Sequence, residues 1–200
     1  MVREKFTTPK VDPNRTVAFT GYRPQKILES LARLKRKYPL STIHHVVNEH
    51  LKTLIHTLYR EGYDTYMTGM ADGFDVWAAM AVLELQSELH HLQLIAVPAY
   101  IKNVSNDTRY NRMYAQIMAA ASQICPAAQR YSHGCFDLRN EILISNCTTV
   151  VCYYDGLPGG TANTLSKASR RDLRIINVCL NTMGLTFNNK ANPMEYLSRE

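Results

Sequence analysis

The chain has 200 residues, of which 46% are hydrophobic and 20% are charged, and its net charge is +6. This composition excludes an intrinsically disordered chain, a collagen and a coiled-coil rod, and the length predicts one domain. No apolar run reaches the roughly 18 residues that a membrane-spanning helix needs. The chain begins with polar and charged residues rather than with a secretory signal, so we expect a cytoplasmic protein.

The cysteine and histidine patterns predict neither disulfides nor a metal site. There are five cysteines and seven histidines. The cysteines are odd in number and form no CxxC pair, which is typical of reduced, buried thiols. The histidines lack HExxH or any similar ligand spacing. We therefore predict that the protein needs no metal and no bound cofactor.

The positive net charge favours anionic ligands in general. The densest basic cluster has helical spacing and consists of Lys167, Arg170, Arg171 and Arg174. Such a cluster is usually a solvated helix face, and contact with nucleic-acid phosphates is the alternative interpretation.

Short apolar strands alternate with helices along most of the chain. A first strand is predicted over 16–20, and it is followed by a helix that contains residues 28–34 and ends near Pro39. A longer helix has an apolar stripe over 43–58, a cap at Ser41 or Thr42, and Gly62 at its end. Further strands are predicted over 63–68, 92–97, 125–131, 149–154 and 175–179, and further helices over 74–89, 107–123, 136–146 and 161–171.

This alternation predicts an α/β fold, a three-layer Rossmann-like domain with a mainly parallel sheet and helices on both faces. We expect the domain to cover residues 16–185, between a polar arm over 1–15 and a polar tail over 186–200. Ligands of such folds bind beyond the carboxyl ends of the strands, near the point where the strand order reverses.

Three glycine-containing loops follow predicted strands, and in a parallel sheet they would meet at one edge. In the third loop, over 155–161, Gly159 and Gly160 allow backbone N–H groups to converge. Thr161 would cap the next helix, whose N-terminus attracts phosphate. Pro-Gly-Gly is also an ordinary turn, so that alternative stays open.

The other two loops supply a basic residue and acidic residues. In the first loop, over 20–24, Arg23 is a candidate anion clamp or a solvated residue beside Pro24. In the second loop, over 68–75, Asp72 and Asp75 stand near a helix start, where they would cap N–H groups or contact a ligand. Trp77 lies on an apolar stripe and is predicted to be in the core.

These loops, taken together and in this order, resemble the YpsA-like branch of the SLOG superfamily. The resemblance covers about residues 15–180 and is carried by Thr20-Gly21-Tyr22-Arg23-Pro24, by 68–79, by Arg139-Asn140, and by Asp155-Gly156 with Gly159-Gly160-Thr161-Ala162. It implies a Rossmann-like sheet with a nucleotide or nucleotide-derived ligand on the glycine loops. The nucleotide- or phosphate-binding residues so predicted are Thr20, Gly21, Tyr22, Arg23, Gly69, Met70, Gly73, Asp75, Arg139, Asn140, Asp155, Gly156, Gly159, Gly160 and Thr161. Asp155 would accept hydrogen bonds from ribose hydroxyls, by analogy with dinucleotide-binding folds.

The same superfamily includes LOG (Lonely Guy) phosphoribohydrolases and DprA-like DNA-processing proteins. LOG enzymes carry a glutamate after Pro-Gly-Gly-x-Gly-Thr, whereas Thr164 and Lys167 stand at the two places where it would fall in this chain. Met80 likewise replaces a glutamate of many relatives in the YpsA-like branch. These departures weaken the case for hydrolysis and leave Asp72, Asp75 and Asp155 as substitute carboxylates.

Three functions are therefore considered. The first is a nucleotide-binding domain, including a ligand sensor. The second is a nucleoside 5′-monophosphate N-glycosidase that uses Arg139 and one of the three aspartates. The third is single-stranded nucleic-acid binding of the DprA type. A homodimer is a further expectation, because open α/β domains with apolar helices often pair.

Overall fold

The computed structural model describes residues 8–33, 38–102, 104 and 108–180. Residues 1–7 of the predicted arm and the whole predicted tail over 186–200 lie outside this range. The strands are β1 (Thr16–Gly21), β2 (Thr65–Thr68), β3 (Gln93–Ala96), β4 (Gln123–Ile124), β5 (Thr149–Tyr153) and β6 (Arg174–Asn177). The α-helices are α1 (Pro24–Arg33), α2 (Leu40–Arg60), α3 (Phe74–Leu85), α4 (Arg109–Ala120), α5 (Cys135–Ser145) and α6 (Gly160–Ser169).

The six strands form one parallel sheet in the order β4-β3-β2-β1-β5-β6. The predicted α/β class is therefore confirmed. The chain builds the sheet outward from β1 to β4 and then returns to place β5 on the other side of β1. The strand order thus reverses between β1 and β5, where such folds bind ligands.

The strands consist of nearly continuous apolar residues because the sheet is covered on both faces. Every residue of β5 is buried, and so are the first five residues of β1. Helix α3 packs against α2 and α4, whereas α5 packs against α6, which gives two helical layers. Trp77 is only 5% exposed on α3, which confirms that it belongs to the core.

Local sequence signals succeeded at one end of α2 and failed at the other. Gly62 follows the helix with φ +98°, and its N–H donates to the Tyr59 carbonyl while the Tyr63 N–H donates to Leu58, as in a Schellman motif. The predicted cap at Ser41 or Thr42 is wrong. Pro39 takes the N-cap position with extended backbone angles, so the helix begins at Leu40 without a side-chain cap.

Several predicted boundaries also need correction. The strand predicted over 125–131 is wrong, because the edge strand is the two-residue β4, which ends at Ile124. Beyond it the Cys125 and Ala127 N–H groups still donate to the Ala96 and Pro98 carbonyls, but Pro126 between them has no N–H to donate. Helix α6 begins one residue earlier and ends two residues earlier than predicted. None of the five cysteines forms a disulfide, and all five are buried, as expected. Within the described residues, no helix has both the length and the apolar character needed to cross a bilayer.

Candidate functional site

A cavity of about 420 Å³ opens at the carboxyl edge of the sheet, at the point where the strand order reverses. It is lined by residues from all three loops and from helix α5. Of the predicted site residues, it contains Thr20, Gly21, Tyr22, Arg23, Asp75, Arg139, Asn140, Gly160 and Thr161. We call this the larger cavity.

The remaining predicted residues lie elsewhere. Gly69 and Met70 line a smaller cavity of about 200 Å³ beside the first one. The lining of these two cavities does not include Gly73, Asp155, Gly156 or Gly159. Among the described residues, no group of three or more His, Cys, Asp or Glu side chains could hold a metal ion.

The glycines of the first two loops are explained by packing within the protein. A Cβ atom at Gly69 would fall 2.0 Å from Nη1 of Arg139, and one at Gly21 would fall 2.5 Å from the Phe74 ring. Gly160 is different, because a Cβ atom there would meet no atom within 4 Å and the residue lines the larger cavity. The empty space beside the Gly160 Cα atom is therefore part of the larger cavity.

Helix α6 presents its N-terminus to the larger cavity, but its cap differs from the prediction. Gly159 is the N-cap, with φ +145°, and no side chain accepts a capping hydrogen bond. Thr161 is the second residue of the helix, so it does not cap it. With no capping side chain, the first-turn N–H groups are available to an anion.

Two basic side chains line the same cavity. Arg23 is exposed, and its guanidinium makes no hydrogen bond or ion pair with the residues that the structure describes. Lys26 donates from Nζ to the Pro158 carbonyl at 2.8 Å, and the same atom lies 4.4 Å from the Tyr22 ring centroid. Sequence reasoning missed Lys26. Lys26 follows Arg23 by three residues, at the start of a helix that begins with Pro24. This spacing is the signal that could have identified it.

A buried ion pair joins α3 to α5 beside the larger cavity. Arg139 is 9% exposed and Asp75 is 3% exposed, with Nη1 and Oδ2 3.3 Å apart. The same Nη1 donates to the Gly69 carbonyl. Nε of Arg139 is buried with no acceptor among the described residues. Arg139 also lines both cavities, and a guanidinium can bind an anion through two parallel N–H donors.

Asp75 is an internal acceptor and not a helix cap. Its carboxylate accepts hydrogen bonds from the backbone N–H groups of Gly21, at 3.1 Å, and Ala71, at 3.4 Å. Gly73 takes the N-cap position of α3, so the predicted capping role of Asp75 is wrong. Burial raises the pKa of Asp75 to about 6, although the Arg139 charge acts in the opposite direction.

Asp155 is also engaged inside the protein. It accepts hydrogen bonds from Tyr22 Oη at 2.5 Å and from the Leu157 N–H at 3.3 Å, and it pairs with Arg33. Burial by itself raises the pKa of Asp155, but hydrogen bonds from Ser30 and Tyr22 outweigh it, and the pKa lies below its usual value. Its place outside both cavities gives no support to the expected contact with ribose hydroxyls.

The three carboxylates considered for catalysis differ in their ion pairs. Asp75 and Asp155 pair with Arg139 and Arg33. Asp72 lines the smaller cavity and forms no ion pair with a described residue. It is half-buried in the wall of the smaller cavity. Burial raises its pKa, and nearby Arg23 opposes the shift.

The basic cluster of 167–174 does not form one helix face. Only Lys167 lies within α6, since Arg170 is its C-cap and Arg174 is the first residue of β6. Arg171 pairs with Glu141 and Arg174 pairs with Glu61. The cluster also lies at the amino edge of the sheet, away from both cavities.

Comparison with known proteins agrees with this architecture. A UPF0398 protein of Bacillus cereus strain B4264 is 23% identical over 167 residues, which cover 82% of this chain and 86% of the relative. A UPF0398 protein of Halalkalibacterium halodurans is 27% identical over 129 residues, which cover 60% of this chain and 68% of the relative.

Two solved structures are similar in fold. DNA processing protein A (DprA) of Streptococcus pneumoniae has a TM-score of 0.55 at 17% identity, with 93% of this chain covered. The match spans only 56% of that longer protein. DprA of Helicobacter pylori has a TM-score of 0.54 at 18% identity, with 94% of this chain and 72% of that protein covered. Its structure was described for its single-stranded DNA binding mode.

The family model YpsA, described as the YspA SLOG family, matches residues 17–176. This range runs from β1 to β6 and includes all three loops and the Arg139 position. The chain therefore belongs to the YpsA (YspA) SLOG family.

Proposed function

We propose that this protein binds a nucleotide or a nucleotide-derived small molecule in the larger cavity, with a phosphate group at the N-terminus of α6. The observation that carries the proposal is the uncapped start of α6 at Gly159-Gly160, open toward a cavity that also contains the unpaired guanidinium of Arg23. Backbone N–H groups and a helix dipole form a phosphate site when the neighbouring side chains are small.

The cations around the cavity support the same assignment. Lys26 lies beside Gly159, with Nζ 3.0 Å from where a Cβ atom of that residue would be. Arg139 is held in place by Asp75, it lines the larger cavity, and its Nε has no acceptor among the described residues. A planar guanidinium fixed on one side binds phosphate oxygens at a small entropic cost.

Isothermal titration calorimetry with a panel of nucleoside mono-, di- and triphosphates and ADP-ribose tests the proposal. We expect at least one compound to bind with a Kd below about 1 mM. Gly160→Asp should abolish that binding by placing a carboxylate at the helix end, whereas Gly160→Ala should preserve it. The proposal is wrong if no phosphorylated compound binds, or if both variants bind as well as the wild type.

A second candidate is single-stranded nucleic acid, and exposed aromatic rings favour it. Tyr131 is 68% exposed and Phe136 is 40% exposed, and both rings contact Tyr100, with centroids 5.7 and 6.3 Å apart. Phe136 also lines both cavities. Exposed rings beside basic groups are stacking surfaces for bases, and a structural relative from Helicobacter pylori was studied for its binding of single-stranded DNA.

Fluorescence anisotropy with a labelled oligothymidylate tests this second candidate. Binding should weaken with salt, and it should fall about tenfold or more in Tyr131→Ala. Tyr59→Ala, which changes a tyrosine near the amino edge of the sheet, is the control. Absence of binding at low salt would remove the candidate.

The remaining expectations stay predictions. We propose a cytoplasmic location because none of the five cysteines, all of which the structure describes, forms a disulfide. A homodimer remains an expectation from the fold class, and sedimentation analysis would test it. Release of free base from nucleoside 5′-monophosphates, lost in Asp72→Asn, would identify an N-glycosidase.

A further inference from the structure

The smaller cavity lies directly beside the larger one. The two share four lining residues, namely Arg23, Ala71, Phe136 and Arg139. A ligand that places one group at α6 can therefore extend past Arg23 and Arg139 into the smaller cavity.

The wall of the smaller cavity combines aromatic rings with fixed polar atoms. Lys102 Nζ lies 5.7 Å from the Tyr100 ring centroid and 5.5 Å from that of Tyr110. It donates to Tyr110 Oη at 3.3 Å, which in turn donates to the Met70 carbonyl at 3.0 Å. Pockets built from rings and a few oriented polar groups are suited to flat heterocycles.

The loop at the base of this cavity is held in an uncommon conformation. Met70 has φ +59°, in the left-handed region that residues other than glycine seldom adopt. Its N–H donates to Thr68 Oγ1 at 3.2 Å, and its carbonyl accepts from Tyr110. Such a backbone conformation is strained and is typical of ligand-binding loops.

The smaller cavity offers both donors and acceptors to the polar edge of a base. Lys102 and Asp72 both line it, together with Arg23 and Arg139. An ammonium group donates and a carboxylate accepts hydrogen bonds. Burial, together with the charges of Arg23 and Arg139, lowers the pKa of Lys102, and burial raises the pKa of Asp72.

We propose that the smaller cavity binds the heterocyclic base of a nucleoside 5′-phosphate, through contacts with Tyr100, Lys102 and Tyr110, while the phosphate lies at α6. This inference rests on the proposed function, since it needs the phosphate site of the larger cavity. It assigns to Tyr100, Lys102 and Tyr110 a role in recognition that no motif in the sequence indicates.

Calorimetry with AMP, GMP, CMP, UMP and ribose 5-phosphate separates the two sites, because the last compound has the sugar phosphate without a base. We expect the best nucleotide to bind at least about tenfold more tightly than ribose 5-phosphate. Tyr100→Ala and Lys102→Ala should each remove most of that difference and leave the affinity for ribose 5-phosphate unchanged. Tyr100→Phe keeps the ring and should keep the nucleotide affinity, and Tyr59→Ala should change neither.

Unchanged binding of ribose 5-phosphate also shows that each variant is folded. Equal affinity of the nucleotides and ribose 5-phosphate, or nucleotide affinity unaffected by Tyr100→Ala and Lys102→Ala, would overturn the base site and leave the phosphate site standing. Failure of every phosphorylated compound to bind would overturn the proposed function itself.

Photolabelling with 8-azidoadenosine 5′-monophosphate gives an independent readout. After digestion, mass spectrometry should find the label on the peptide that contains Tyr100, Lys102 or Tyr110. Excess AMP should suppress the labelling, and excess phosphate should suppress it less. Specific labelling confined to another part of the chain would contradict the assignment.

Discussion

The Arg139 guanidinium and the Asp75 carboxylate form a buried ion pair, Nη1 to Oδ2 3.3 Å, that links α5 to α3 across the carboxyl edge of the sheet. Because Asp75 also accepts from the Gly21 and Ala71 N–H groups, this pair fixes the first and second loops relative to α5. The guanidinium of Arg139 is thus held in a fixed direction by contacts within the protein.

Arg139→Leu should reduce the free energy of unfolding by about 3–5 kcal/mol at neutral pH, because it leaves Asp75 charged and buried without a partner. Urea denaturation measures the change. Adding Asp75→Asn to this variant should recover a large part of the loss. Arg171→Leu, which breaks the half-exposed pair with Glu141, should cost at most about 1 kcal/mol. Equal losses in Arg139→Leu and Arg171→Leu would contradict the importance of the buried pair.

The raised pKa of Asp75 predicts a pH dependence with a definite sign. The folded-state value of about 6 exceeds the ordinary 3.8, so the native state binds the proton more tightly than the unfolded chain does. Proton binding by Asp75 makes its whole contribution to the free energy of unfolding below about pH 4. This contribution falls by on the order of 2–3 kcal/mol as the pH rises through about 6. The difference in unfolding free energy between wild type and Asp75→Asn should fall across this window. A difference that rises with pH would refute the sign.

Tyr22→Phe removes one hydrogen bond to Asp155, whose side chain is only 5% exposed. We expect a loss of about 1–3 kcal/mol in unfolding free energy, because a buried acceptor loses a donor. The pKa of Asp155 should rise in the variant, since Tyr22 helps to lower it, and NMR titration of the carboxyl carbon would show this. The control is Tyr59→Phe, whose hydroxyl bonds to the His90 carbonyl at an exposed position. An unchanged Asp155 pKa would count against the prediction.

The two glycines that start α6 should respond differently to alanine. Gly159 has φ +145°, and its Cβ atom would contact Lys26 Nζ at 3.0 Å. Gly159→Ala should therefore cost more than about 1 kcal/mol of stability. Gly160→Ala should be neutral or slightly stabilising, because the new methyl group meets no atom within 4 Å. Thermal denaturation compares them, and a reversed order would contradict the described backbone.

Loss of a single cation should weaken phosphate binding without unfolding the protein. Arg23→Gln and Lys26→Gln should each lower the affinity for a bound nucleotide by about tenfold, since hydrogen bonds from charged donors contribute about 1.5–3 kcal/mol. Arg60→Gln changes an exposed arginine at the end of α2, near the opposite edge of the sheet, and should have no effect. Calorimetry measures the three variants, and equal losses in all of them would indicate a non-specific charge effect.

The sequence by itself determined the fold class and the edge of the sheet that carries the candidate site. Apolar runs such as 149–153 are readable as buried strands because burial on both faces requires nearly every residue to be hydrophobic. Glycines after such strands mark the carboxyl edge, and parallel topology alone brings the loops together there. The order of the loops was also sufficient to identify the family.

Only the tertiary structure decided which loop residues face the cavities. Gly69 and Gly160 look alike in the sequence, yet Gly69 makes room for Arg139 and Gly160 faces the larger cavity. The sequence likewise does not distinguish Asp75, Asp155 and Asp72, although in the structure the first two form ion pairs with Arg139 and Arg33. Lys26, Tyr100 and Lys102 reach the site from segments without a motif. Side-chain direction and burial depend on contacts between residues far apart in the chain, which local sequence patterns do not encode.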